Sequence, residues 1–187
     1  MNTACTAQPS RSCDDQDEPG SSAEGDVPSK RTLRPAPEPI DITLSSTLIS
    51  DERIAALRTK VCAILTHLPR SAARVSISVI HDEAMIELHT TWHNLKTTTD
   101  VITFEASTKG PLEVDIAICL DEANRAAADH EHSPDDELLL YIVHGLLHCC
   151  GYNDHDDDAS ARMHTEEDRL LAAIGHDAVY APRRPRQ

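Results

Sequence analysis

His144 and His148 stand four residues apart in the run His-Gly-Leu-Leu-His-Cys-Cys-Gly-Tyr-Asn-Asp-His, which closes at His155. On a helix that spacing puts both imidazoles on one face, with Cβ atoms about 5 to 6 Å apart, so two rings can meet one metal ion. Gly151 can end such a helix by turning left-handed. The chain then doubles back through Tyr152 and Asn153 and offers Asp154 or His155 as a third ligand. Three protein ligands leave a coordination position open, which marks a catalytic zinc-type site rather than a closed structural one. Asp154 would make a two-histidine, one-carboxylate site of the kind suited to other metals. His155 is the expected ligand, because zinc binds imidazole well and loops absorb single insertions readily. Gly145 occupies the position at which the metalloprotease helix carries its Glu general base, so an ordinary peptidase reading lacks its base.

Other candidate donors carry plainer readings. Cys149 and Cys150 point off the histidine face and read as small core residues. Asp156, Asp157 and Asp158 read as solvated charge, as do His130 and His132 at a helix end and the basic run Arg183, Arg184, Arg186.

The elements that must position the histidines follow from hydrophobic period. Ser133 caps a helix with Pro134 at its first position, and Asp135, Asp136 and Glu137 suit the positive end of its macrodipole. From Leu138 to Cys150 that helix is apolar nearly all round, so it should be buried. Upstream, alternation at Ile40, Ile42 and Leu44, at Val75, Ile77 and Val79, and at Val114, Ile116 and Ile118 predicts three strands. A fourth is expected over Thr99 to Glu105, which is rich in β-branched residues. Ser50 caps a helix carrying Leu57, Val61 and Ile64 that Pro69 should end. A short helix is expected from Asp82 to Thr91, another from Leu120, and a last one bearing Met163, Leu170 and Leu171. No internal repeat is present.

The 187 residues suffice for one domain and a tail. Residues 1–38 are rich in Ser, Pro and acids and hold few apolar residues, so they should be disordered, leaving 39–187 as the domain. The net charge of −15 disfavours a nonspecific phosphate-coating protein. Only five aromatic residues are present, one Trp, one Phe and three Tyr, so stacking platforms for bases are scarce. Six cysteines without a C-x-x-C pattern fit reduced thiols. With neither a signal-like segment nor an apolar run of spanning length, the expectation is a soluble, cytoplasmic protein without membrane contact.

The histidine run resembles the signature of the YbeY family, the bacterial endoribonucleases also called rRNA maturation factors. Leu88 to Val101 is similar to the family's stretch that ends as Thr99-Asp100-Val101-Ile102-Thr103-Phe104 does here, and Asp115 to Cys119 resembles a family strand. The last helix, with Met163 and Glu167, fits as well. The similarity spans about Ile40 to Ile174. It implies an α+β fold in which a four-stranded mixed sheet and helices surround a buried metal-bearing helix. It also implies one Zn2+ per chain held by three histidines, here His144, His148 and His155. The implied activity is hydrolysis of single-stranded RNA in maturation of the 16S rRNA 3′ end and in ribosome quality control, with the small ribosomal subunit as partner. Two departures stand out: the family's third histidine falls at Asp154, one residue before His155, and a family arginine thought to contact RNA falls at His93. His93 is therefore the candidate for phosphate contact or proton transfer. The rival readings are a metal-dependent hydrolase of peptides or small molecules, and a noncatalytic ribosome-associated protein with a structural metal.

Overall fold

The computed structural model describes residues 40–106, 108–130, 133–177, 179 and 180. The expected tail over residues 1–38, His132 and Arg183, Arg184 and Arg186 lie outside the described residues.

Alternating apolar residues form four strands: β1 (Asp41–Ser45), β2 (Ala72–Ile80), β3 (Val101–Glu105) and β4 (Leu112–Cys119). They make one sheet in the order β1-β2-β4-β3. The first, second and fourth strands run parallel, while β3 pairs antiparallel with β4 and sets Thr103 opposite Ile116. The period of two sorts residues between the two faces. In β4, Val114, Ile116 and Ile118 join the larger core, and Ala117 and Cys119 join a smaller one on the other side.

Helices α1 (Asp51–Leu65), α4 (Pro134–Cys149) and α5 (Asp157–Ala173) pack into the larger core. Helix α2 (Asp82–His93) covers the opposite face, where Met85 and Leu88 meet Ile102, Ala117 and Cys119. Helix α3 (Leu120–His130) follows β4 directly and packs along α4 through Leu120 and Ala123. This is the expected α+β arrangement with a four-stranded mixed sheet. No helix among the described residues is long and apolar enough to cross a membrane.

Local chemistry starts the helices where Ser50 and Ser133 predict. The Ser50 hydroxyl accepts from the Arg53 amide. Ser133 and Asp136 form a reciprocal capping box at α4, satisfying two amides that the first turn leaves without partners. The end of α1 differs from expectation. It stops at Leu65, four residues before Pro69, because the Thr66 hydroxyl and amide both bond Ala63 O and His67 N bonds Ile64 O, tightening the last turn.

Helix α4 is enclosed by β3, β4, α1, α3 and α5, and Leu138 to Val143 are all buried. Its approach to β3 depends on Gly145. A Cβ there would lie 2.7 Å from Thr103 Cγ2 and 3.2 Å from Val101 Cγ2. The glycine thus lets the helix lie close on the edge strand, and it leaves no room for a glutamate beside His144.

Candidate metal centre

The C-terminal turn of α4 fixes the direction of His148. Gly151, with φ of +93°, ends the helix, its amide bonding His148 O while Tyr152 N bonds Leu147 O at 3.1 Å. That pair of bonds is the Schellman pattern, which needs a residue free to adopt positive φ. The turn carries the Tyr152 carbonyl back over the helix end, where it lies 3.1 Å from His148 Nδ1. A carbonyl can only accept, so Nδ1 carries the proton and donates it. His148 Nε2 then has a bare lone pair when the ring is neutral.

His144 is oriented from a different element. Its Nδ1 lies 2.7 Å from Oε1 of Glu167 on α5, and a carboxylate again forces Nδ1 to be the donor. Glu167 is fully buried, and its charge and hydrogen bonding also act on the Tyr180 phenol. A buried carboxylate on the far side of a ligating imidazole is the usual support of a metal-bound histidine.

The two free nitrogens, His144 Nε2 and His148 Nε2, come within 3.0 Å of each other. Two acceptor lone pairs at that distance repel unless a proton or a metal ion stands between them. The Asp154 carboxylate completes the group, with Oδ2 3.8 Å from His144 Nε2 and one ligand atom from each of the three residues within 4.8 Å of the others. For zinc, bonds to imidazole nitrogen and carboxylate oxygen of about 2.0 to 2.2 Å require donors gathered in this way. The site is anionic as well. Burial lowers the His144 pKa, but the hydrogen bond and charge of Glu167, with the charges of Asp100 and Asp154, outweigh it and raise the pKa overall. The donor set, the facing nitrogens and the surrounding negative charge fit a divalent cation.

Of the two residues weighed as third ligand, Asp154 is the one that joins the pair. His155 is exposed and outside the group, its amide 3.4 Å from Asn153 Oδ1. Asp156 caps α5 by accepting from Ala159 N at 2.7 Å, so Gly151 to His155 form the segment between the two helix caps. His93 ends α2, exposed, its ring 5.4 Å from that of His89, and no hydrogen bond or ion pair among the described residues joins it to His144 or His148. Cys149 and Cys150 pack against the larger core, and burial pushes both thiols up. His130 is exposed, 3.9 Å from buried Glu137.

Sequence reasoning assigned no role to Glu167 or to Asp100. Glu167 sits 23 residues from His144, and only its place in a run of family-like helix residues singled it out. Asp100 stood inside the Thr-Asp-Val motif without a stated role. A second group of donors, Asp82, Cys119 and Asp121, also meets the 4.8 Å spacing. There Arg125 already supplies the cation, with Nη1 2.8 Å and Nη2 2.9 Å from the Asp82 carboxylate oxygens.

Comparison with known proteins adds an independent line. The profile of a family described as Endoribonuclease YbeY matches residues 40–175. The chain is 38% identical over 119 residues to an Endoribonuclease YbeY of Anaeromyxobacter sp., covering 62% of this chain and 62% of that protein. It is 30% identical over 151 residues to an Endoribonuclease YbeY of Agrobacterium fabrum, covering 73% of this chain and 90% of that protein. A solution structure of a Thermotoga maritima protein superposes with a TM-score of 0.52 at 20% identity, covering 72% of this chain and 88% of that one, and shares the fold.

Proposed function

This chain belongs to the endoribonuclease YbeY family, and from that premise we propose that it is a metal-dependent endoribonuclease specific for single-stranded RNA. The proposed setting is cytoplasmic maturation of the 16S rRNA 3′ end and ribosome quality control, with the small ribosomal subunit as partner. The observation that carries the metal reading is the pair of Nε2 acceptors 3.0 Å apart whose Nδ1–H groups are already committed to Glu167 and to Tyr152 O.

His144, His148 and Asp154 would hold the ion, one per chain, with zinc the proposed metal. Asp154 is preferred over His155 because its carboxylate lies within the donor group and the ring of His155 does not. A divalent ion bound there supplies positive charge for a phosphoryl oxygen and acidity to water, whose pKa such ions bring from about 15.7 to about 7. The protein's own contribution is positional. Glu167 and the Tyr152 carbonyl fix both rings in one tautomer, so neither must reorganise during reaction. Gly145 excludes a side-chain base at the helix position after the first histidine. His93 is proposed to contact phosphate or carry a proton where the family has arginine, a role that protonated imidazole performs best.

The test is cleavage of single-stranded RNA by metal-stripped protein before and after zinc is restored, with duplex RNA and a peptide mixture in parallel. Loss on stripping, recovery with zinc and resistance of the duplex are expected. Peptide cleavage without RNA cleavage would favour the rival hydrolase, and no cleavage of either would favour a structural metal.

A further inference from the structure

In a chain with five aromatic residues, the only tryptophan is left in solvent. Trp92 is 63% exposed at the last turn of α2, and Leu95 beside it is 50% exposed. An isolated exposed Leu needs no explanation, but a large exposed ring held rigidly is informative. The indole is held from beneath by Phe104 of β3, ring centroids 5.1 Å apart at an interplanar angle of 61°, and Phe104 is itself packed on the smaller core. Edge-to-face seating of this kind leaves one indole face free while fixing the ring.

The surroundings suit a nucleic-acid strand. No acidic residue occurs between Glu87 and Asp100, although the chain holds 32 acids, and the same stretch carries His89, His93 and Lys96. Lys96 is exposed and has no ion-pair partner among the described residues. The platform and the candidate metal centre adjoin opposite faces of one short strand. Phe104 meets Trp92 on one face of β3, and Thr103 beside it meets Gly145 on the other, next to His144. β3 lies at the end of the sheet order, with no strand on its outer side among the described residues. The loop that leaves Trp92 ends at Asp100, whose charge acts on His144.

We propose that Trp92, seated on Phe104, is a stacking platform for one unpaired base of the RNA strand that reaches His144 and His148 around the free edge of β3. The proposal rests on the endoribonuclease reading above and adds to it a residue that selects single strands. A base within a duplex is stacked on its neighbours and cannot offer its face to the indole, whereas an unpaired base of any identity can. Lys96, with His89 or His93, would meet the flanking phosphates.

Because Trp92 is the only tryptophan, its emission reports on the platform directly. The full-length, zinc-loaded protein is titrated with a ten-nucleotide 2′-O-methyl single strand, which resists cleavage, and with the same strand annealed to its complement. Saturable quenching by the single strand and not by the duplex is expected. Trp92→Leu should raise Kd for the labelled single strand about tenfold, within what one stacked base supplies, and should raise KM for a cleavable strand in step. Trp92→Phe should restore most of the affinity, and metal content and melting temperature should match wild type in both variants. Binding without an emission change, equal quenching by the duplex, or wild-type affinity in Trp92→Leu would each overturn the platform and leave the endoribonuclease reading standing. Failure of zinc-loaded wild type to bind or cleave any single-stranded RNA would overturn the endoribonuclease reading first, and the platform with it.

Discussion

The His144–His148–Asp154 group and the Asp82–Cys119–Asp121 group offer three metal-type donors each, gathered within the same 4.8 Å. They differ in what balances their charge. At the second group Arg125 forms a two-pronged bridge to Asp82, and the hydrogen bonds from Arg125, Cys119 and Thr98 hold the Asp82 carboxyl well below the usual carboxylate range. Asp121 is occupied too, accepting from Asp82 N at 2.9 Å and lying 3.1 Å from His81 Nδ1. The cluster is closed by the protein's own cation and joins α2, β4 and α3. At the first group, Asp100, Asp154 and Glu167 surround two imidazoles, and no Lys or Arg bridges them among the described residues. Donor count and spacing therefore do not distinguish a metal centre from a structural ion-pair network. The missing positive charge does.

The comparison is broken most severely at the histidines. His148→Ala removes one of the three proposed ligands, so zinc content by elemental analysis and cleavage of single-stranded RNA should both fall to background. Full zinc and activity in that variant would remove the metal reading. Next in size is the choice of third ligand. Asp154→Asn should weaken zinc binding in a calorimetric titration far more than His155→Ala does, and the reverse order would restore His155 as the ligand.

A smaller loss is expected at Glu167. Glu167→Gln keeps an acceptor for His144 Nδ1 but removes the buried charge, and zinc affinity should fall about 10- to 100-fold. This variant also has a pH signature in metal-free protein. The raised His144 pKa means that its pairing with Glu167 contributes stability fully below about pH 6.5, and that this contribution is lost as pH rises through the raised value. The stability advantage of wild type over Glu167→Gln should therefore shrink or reverse in going from pH 6 to pH 9. A gap independent of pH would contradict the pairing.

The smallest effect belongs to the second group. Arg125 and Asp82 are partly exposed, so Arg125→Ala should cost no more than about 1 kcal/mol in chemical denaturation. The depressed Asp82 pKa makes that contribution present above about pH 3.9 and lost as pH falls below it, so the difference from wild type should close in acid. Zinc content and RNA cleavage should not change; a fall in either would show that the two groups are coupled.

What was legible in the sequence was local. Ser50, Ser133 and Gly151 mark helix ends through bonds made within a few residues, and the spacing of His144 and His148 places two donors without reference to the rest of the chain. Strand alternation was equally plain, because its cause is the pleat itself. The parts that were not legible depend on contacts distant in sequence. Glu167 reaches His144 only because α5 packs against α4, and Gly145 is required by the methyl groups of Thr103 and Val101 on β3. The choice between Asp154 and His155 depends on how the segment between the two helix caps turns, which brings the Asp154 carboxylate to 3.8 Å from His144 Nε2 and leaves His155 outside the donor group. Trp92 read as one of few aromatic residues, and its exposure depends on its place at the end of α2 against Phe104 of β3, far along the chain from it.

A divalent ion is proposed to sit between the two imidazoles. Anomalous diffraction at the zinc edge from crystals of the zinc-loaded protein tests it directly. One peak per chain is expected, about 2.0 to 2.1 Å from Nε2 of both His144 and His148, with an Asp154 oxygen in its coordination shell. A peak at Asp82, Cys119 and Asp121, or none within bonding distance of the two imidazoles, would contradict it.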